Sequence, residues 1–256
     1  MPKSRTRSRP VTAAASSLAE PWSFSLAELL GEQAAAPGVP KGRRTLLRLK
    51  AGAAKMLNDL PYQNLRIADI VKAAGVSHGL FYHYFADKQG ITLDVLGEMI
   101  RLSDERYAQI HASKDTYQSI FVPNTYYLNF YRKNAGLMRA ALALSDELDS
   151  FRQLWNDVID RWHSRIAHSI ESHAADSGAA RPDAELLAYC LGAMIDQICR
   201  QLFVQENPHL KKRVPSIRHL SEALSITWFR ATYARDPSLK QIEACRNLVL
   251  PERAAA

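Results

Sequence analysis

The sequence predicts an all-α fold, and three observations carry that prediction. Apolar residues recur with helical spacing from Arg43 onward. No run alternates apolar and polar residues with period two for long enough to make a strand. Only 11 Gly and 12 Pro punctuate the 256 residues, which argues against a collagen-like, all-β or wholly disordered chain. The architecture expected is an N-terminal three-helix head containing a helix-turn-helix, followed by a larger C-terminal helical body. Hydrophobic residues at 47% and charged residues at 23% are ordinary for a globular chain long enough to bury a full core. No stretch of about 18 uninterrupted apolar residues exists, so no membrane partner or span is expected.

Residues 1–40 read as a flexible basic extension with a short helix in it. Residues 1–17 combine Arg, Ser, Thr, Pro and Ala with no acid, and disorder is expected there. Their composition is also that of an organelle transit peptide, but a flexible basic arm is the favoured reading, and no apolar segment of about 7–15 residues follows to make a secretory signal. Over 23–36, Ser25 and Glu28 have capping-box spacing and Leu26, Leu29 and Leu30 form a small stripe, giving a short peripheral helix. Pro37-Gly38-Val39-Pro40 ends it.

The head is expected over 41–90. Leu46, Leu47, Leu49, Ala53, Met56 and Leu57 line a first helix ending near Asp59, before Pro61. Residues 67–74 make a second, with Ile67, Ile70 and Val71 inward, and Gly75 breaks it. Ser77 is placed to N-cap a third over 78–85, and Asp87 a fourth running to about Ala112. The body is expected over 113–240. Its helices are 116–132, kinked or late-starting at Pro123; 134–145; 147–174, with Phe151, Trp155, Val158, Ile159, Trp162, Ile166 and Ile170 on one face; 183–205; and 216–235. Residues 177–182 read as a loop and 241–256 as a tail.

Charge separates head from body. The net charge is +7, with an isoelectric point near 9.4. Residues 41–88 carry nine Lys/Arg against three Asp, while residues 89–256 carry 20 of each sign. A compact basic module on a neutral one suits a polyanion-binding head and a body with another task; a solubility face is the bland alternative.

Two short helices joined through Gly75 have the form of a helix-turn-helix. Such a unit needs its second helix locked by a few apolar residues while the other face reaches a major groove. Val76, Phe81 and Phe85 are placed to lock it, and His78, Gly79, Tyr82 and His83 to face outward. Five rings in succession, Phe81 to Phe85, cannot all face a small core. Residues 44–103 resemble the DNA-binding domain of the TetR family of transcriptional regulators. The resemblance is carried by Asp69-Ile70-Val71-Lys72-Ala73-Ala74-Gly75-Val76-Ser77-His78-Gly79-Leu80-Phe81-Tyr82-His83-Tyr84-Phe85-Ala86-Asp87-Lys88. It departs from the family pattern at Leu80 in place of Thr, His78 in place of Lys, and Arg66 where Ser or Thr usually begins the second helix.

The resemblance implies DNA contacts from Arg66, Ser77, His78, Gly79, Leu80, Tyr82, His83, Tyr84 and Lys88, with Lys88 on a phosphate. Arg43 and Arg44 precede the first helix and either enter a minor groove as an arm or stay solvated. It further implies a homodimer on a pseudo-palindromic double-stranded operator, a cytoplasmic, nucleoid-associated location in a bacterium, and a body that dimerises and binds a small-molecule effector. A repressor released by an apolar or aromatic ligand is the leading reading. A ligand-independent regulator or activator of the same family is one rival, and a helical enzyme or lipid carrier is another.

For the effector pocket the expected residues are Tyr127, Phe130, Tyr131, Met138, Arg139, Leu142, Trp155, Ile159 and Trp162. Large rings at helical spacing otherwise pack as core, and Arg139 meets either a ligand anion or a surface acid. The dimer contact is expected on helices 183–205 and 216–235, with Leu191 and Met194 in it. Asp196 and Arg200 have the spacing of an intrahelical pair.

No catalytic residue, metal or cofactor is expected. GxGxxG, Walker-A, HExxH and GxSxG motifs are absent. His163, His168 and His173 recur every five residues and so do not share a helix face; Asp157, Asp160 and His163 do, as a solvated surface. Cys190, Cys199 and Cys245, an odd number without CxxC, fit a reducing compartment and small buried apolar roles.

Overall fold

A computed structural model of the chain describes residues 23–110, 113, 115–177 and 183–249, with only the backbone given for 173–177. The basic arm at 1–17, most of the 177–182 loop, the last seven residues of the tail and the His173 side chain lie outside the described residues. Described residues form helices joined by turns, with no strand among them. In order these are α1 (Leu26–Ala35), α2 (Lys41–Asp59), α3 (Ile67–Ala74), α4 (His78–Tyr82) and α5 (Lys88–Tyr107). They continue as α6 (Gln118–Lys133), α7 (Ala135–Glu147), α8 (Asp149–Ser177), α9 (Ala184–Cys199), α10 (Pro208–Lys211) and α11 (Ile217–Tyr233). Short 3-10 turns at Tyr62–Asn64, Leu239–Gln241 and Arg246–Leu248, and a π turn at Arg200–Val204, complete them.

Two helix starts carry the caps read in the sequence, at Ser25 and Asp87, and a third is capped by Asp183, which the sequence did not single out. Ser25 Oγ accepts from the Glu28 amide at 3.4 Å, Asp87 from Gly90 at 2.7 Å and Asp183 from Leu186 at 3.0 Å. Gly75 stops α3 at φ +62°, in the left-handed region, and lets Val76 N–H donate back to Val71 O at 3.1 Å. Pro123 sits inside α6, and the helix runs through it from Gln118. The helix expected to reach Ala112 ends at Tyr107, and that expected over 78–85 closes at Tyr82.

The head is α2 to α4 with the first half of α5. Gly52 brings the α2 and α3 backbones together: a Cβ there would sit 2.9 Å from Ile70 O. Buried Lys50 on α2 pairs with Asp94 at 2.5 Å and Glu98 at 3.2 Å on α5. Burial disfavours the Glu98 carboxylate, but Arg101 and Lys50 outweigh it and hold the group below its usual range.

The N-terminal helix α1 is not peripheral. Phe24, Leu26, Leu30 and Ala34 are buried in the main core. Asn134, fully buried between α6 and α7, accepts from Leu26 N–H at 2.9 Å and donates to Phe24 O at 2.7 Å. Such a polar tie persists inside a core because all its groups are satisfied. Head and body therefore share one apolar core. Part of the expected tail also docks. Ile242, Cys245 and Val249 pack with Tyr117, Phe121, Ile226 and Phe229. Fully buried Glu222 accepts from the Glu243, Ala244 and Cys245 amides and from Arg218, which fixes this segment on α11.

Candidate nucleic-acid interface and ligand cavity

Phe81 is the locking residue of α4, with no exposure, and Val76 and Phe85 are half-buried beside it. The opposite face is open. Ser77, His78, Gly79, Leu80, Tyr82 and His83 are all exposed, Tyr82 at 53%. Ser77 makes no capping bond, contrary to expectation, so its hydroxyl is not used by the helix it precedes. A Cβ at Gly79 would meet nothing within 4 Å, so no contact inside the chain demands glycine there. Arg66, at the start of α3, is exposed and caps nothing.

Three expected contacts are placed differently. The Lys88 ammonium turns inward, donating to Tyr62 O at 3.2 Å, Gln63 O at 3.2 Å and Leu65 O at 3.3 Å, and lies over the Tyr62 ring. Three carbonyls of a tight turn match the three donors of the ammonium, so the amine serves that turn. Tyr84 is half-buried and donates its hydroxyl to Gly42 O at 3.2 Å, tying the end of α4 to the start of α2. Arg43 and Arg44 are not an arm, because α2 begins at Lys41 and holds them in its first turn, Arg44 donating to Val39 O at 3.1 Å.

A test of the Lys88 placement is its salt signature. Lys88→Met is expected to cost about 1–3 kcal/mol of stability through the three lost charge-assisted bonds, read by denaturant unfolding. Its DNA-binding salt slope should match the parent's. A slope shallower by about 0.9 would instead assign Lys88 to a phosphate.

The body holds a half-open cavity of about 460 Å³, within the range of small-molecule sites. Every expected pocket residue lines it except Arg139. Arg139 points to the head, where its Nη2 donates to Leu57 O at 3.1 Å at the end of α2. Carbonyls at a helix C-terminus lack intrahelical donors, and a guanidinium supplies one. Residues not expected at the pocket also line the cavity: Met99, Ile100, Ser103 and Tyr107 from α5, and Trp228 from α11, which was expected at the dimer contact instead. Their helices are amphipathic in the ordinary way, so nothing local marks the cavity-facing residues among the core ones.

Asp196 does not pair with Arg200. Its Oδ1 accepts a hydrogen bond from the Tyr127 hydroxyl, and both residues line the cavity. Burial raises the Asp196 carboxyl above its usual range, the Tyr127 bond working against that, and burial raises the Tyr127 phenol well above its own. His163 is buried with Nδ1 unpartnered, and burial lowers its pKa. The far end of α5 is held to α8 at the cavity rim. The Tyr107 ring meets Trp162 edge-on at 4.3 Å, and Asp104 accepts from Arg165 at 3.1 Å. Among the described residues no three His, Cys, Asp or Glu side chains converge to hold a metal ion, and no helix is long and apolar enough to cross a membrane.

Of the contact residues expected on α9, Leu191 and Met194 are turned inward. Leu191 is only 5% exposed and belongs to its own subunit's core, and Met194 is half-buried there. Leu186 at 61%, Tyr189 at 43%, Cys190 and Ala193 form the outward stripe.

Residues 49–95 match the bacterial regulatory proteins of the tetR family, and residues 124–234 match the C-terminal domain of the transcriptional regulator EthR. The HTH-type transcriptional regulator EthR of Mycobacterium tuberculosis is 25% identical over 210 residues, covering 77% of this chain and 95% of that protein. Its counterpart in Mycolicibacterium smegmatis is 23% identical over 213 residues, covering 77% and 94%. A transcriptional regulator from Rhodococcus sp. Rha1 superposes with a TM-score of 0.63 at 18% identity, covering 75% of this chain and 98% of that one. One from Saccharomonospora viridis, solved in complex with choline, has a TM-score of 0.62 at 26% identity, covering 73% and 96%.

Proposed function

Since the chain belongs to the TetR family of DNA-binding transcriptional regulators and is not an enzyme, we propose that it is a homodimeric repressor of the bacterial cytoplasm, released from a pseudo-palindromic operator by a small-molecule effector. The observation that carries the DNA half is the outward face of α4, where polar and aromatic side chains stand exposed opposite the fully buried Phe81. Ser77, His78, Tyr82 and His83 supply hydrogen-bonding groups to a major groove, and Leu80 an apolar contact suited to a thymine methyl. Arg66 flanks them for a phosphate.

The effector half is supported by the cavity and by α5. This helix has 20 residues, about 30 Å of rise, with Lys88 at the head and Tyr107 at the cavity. A ligand that fills the cavity and favours a displaced Tyr107 changes the spacing of the two heads, and DNA affinity falls by its differential affinity for the two states. The Saccharomonospora viridis protein, described with a small molecule, lends support to a ligand-responsive body.

Operator binding measured by fluorescence anisotropy tests the first half. Tyr82→Ala is expected to lose about 10–100-fold in operator affinity, equivalent to ~1–3 kcal/mol, with little change on random DNA. Equal operator affinity in a folded Tyr82→Ala, His78→Ala double variant would remove α4 from the interface.

A further inference from the structure

Most of the cavity's named walls are aliphatic or aromatic, and one corner is acidic. Asp196 is the single acidic side chain that lines it among the described residues. The Tyr127 hydroxyl is its partner, and its second oxygen accepts no hydrogen bond from a described residue. Neither arginine at the cavity balances it. Arg165 is held by Asp104 at 3.1 Å and lies over the Trp162 ring at 5.4 Å. Arg200, one turn further along, is exposed and forms no ion pair with a described residue. The third basic side chain on the wall, His163, is buried, and burial lowers its pKa and so disfavours its charged form.

A half-buried carboxylate without a counter-ion is costly, and a cation that arrives with its own apolar body removes that cost. The surroundings suit such a group. Tyr127, bonded to the carboxylate, has Tyr131 next to it, with ring centroids 6.0 Å apart and planes at 70°; both line the cavity and Tyr131 feels the Asp196 charge. Aromatic faces attract ammonium groups, more strongly where water is excluded. A ligand carboxylate in the same corner would meet a like charge.

We propose that the effector is an organic ammonium compound, its cationic nitrogen seated at Asp196 against Tyr127 and Tyr131, its apolar or aromatic body extending toward Trp155 and Trp162. This rests on the reading of the cavity as the effector site. A small hydrated metal ion does not fit the description, because the rest of the wall offers it few oxygen ligands.

The full-length protein is titrated calorimetrically with (4-phenylbutyl)trimethylammonium, with its neutral isostere carrying carbon in place of nitrogen, and with 5-phenylpentanoate. DNA release is followed in parallel. The parent is expected to bind the ammonium at least about tenfold tighter than the neutral isostere, a difference of ~1.4 kcal/mol. Asp196→Asn, which keeps an acceptor for Tyr127, should erase that preference while binding the neutral compound as the parent does. Equal binding of the two isosteres, tighter binding of the pentanoate, or a preference that survives in Asp196→Asn overturns the ammonium assignment. In those cases, binding of any probe with DNA release leaves the effector-site reading standing. If no probe binds or releases DNA, both readings fall.

Discussion

Leu186→Glu with Cys190→Glu is expected to leave each subunit folded and to lower operator affinity by about 10²–10⁴-fold. Both residues are exposed on α9, so neither substitution disturbs the core of its own chain. In a two-fold contact each patch meets its own copy, and four carboxylates would face one another. Splitting the dimer turns the second half-site from an intramolecular event into a separate one, which accounts for the size of the loss. Sedimentation velocity should show monomer with parental helicity. Leu191→Glu is the contrasting control: it places a charge in the core and should unfold the chain. A Leu186/Cys190 variant that sediments as dimer with parental affinity would move the contact to another face.

Gly136→Ala is expected to cost about 3 kcal/mol, at the top of the range for overpacking. Gly136 opens α7 against the end of α2, and a Cβ there would lie 2.2 Å from Leu57 O and 2.3 Å from Asn58 Cα. Both obstacles are backbone, so no side chain can swing away. Relief requires the two helices to part, which also strains the Gly136 N–H bond to Asn58 Oδ1 at 3.1 Å and the Arg139 bond to Leu57 O. Calorimetry should show the melting temperature lowered by roughly 6–12 °C. Because this contact sets the seating of head on body, effector-driven DNA release should weaken in the same variant. Parental melting and release would mean that the junction yields without cost.

Much of the fold was legible because helices are decided over short distances. Ser25 and Asp87 cap the helices that follow them, Gly75 ends α3, and the stripe from Phe151 to Ile170 faces inward along α8. Each depends on neighbours within roughly one turn, where backbone hydrogen bonds and apolar spacing are set. The head motif was legible for the same reason: Phe81 had to be inside and Tyr82 outside on so short a helix. The rings of α6 and α8 were legible as a group that lines one pocket, since large rings recurred at helical spacing on both.

The ends of long polar side chains were not legible. Lys88 reaches carbonyls 23 to 26 residues away, Tyr84 one 42 residues away and Arg139 one 82 residues away. Asp196 passes over Arg200, its neighbour by helical spacing, for Tyr127, 69 residues distant. Leu191 and Leu186 are equally apolar, and only the packing of α9 on α8 assigns one to the core and the other to the surface. The sequence by itself determined the order of the main helices and where most of them begin, which head they build and that the body holds clustered rings, while several helix ends fell elsewhere. Tertiary structure alone decided which donors are spent inside the chain and which stay open, because a flexible side chain's partner is whichever unsatisfied group the fold brings within hydrogen-bond reach.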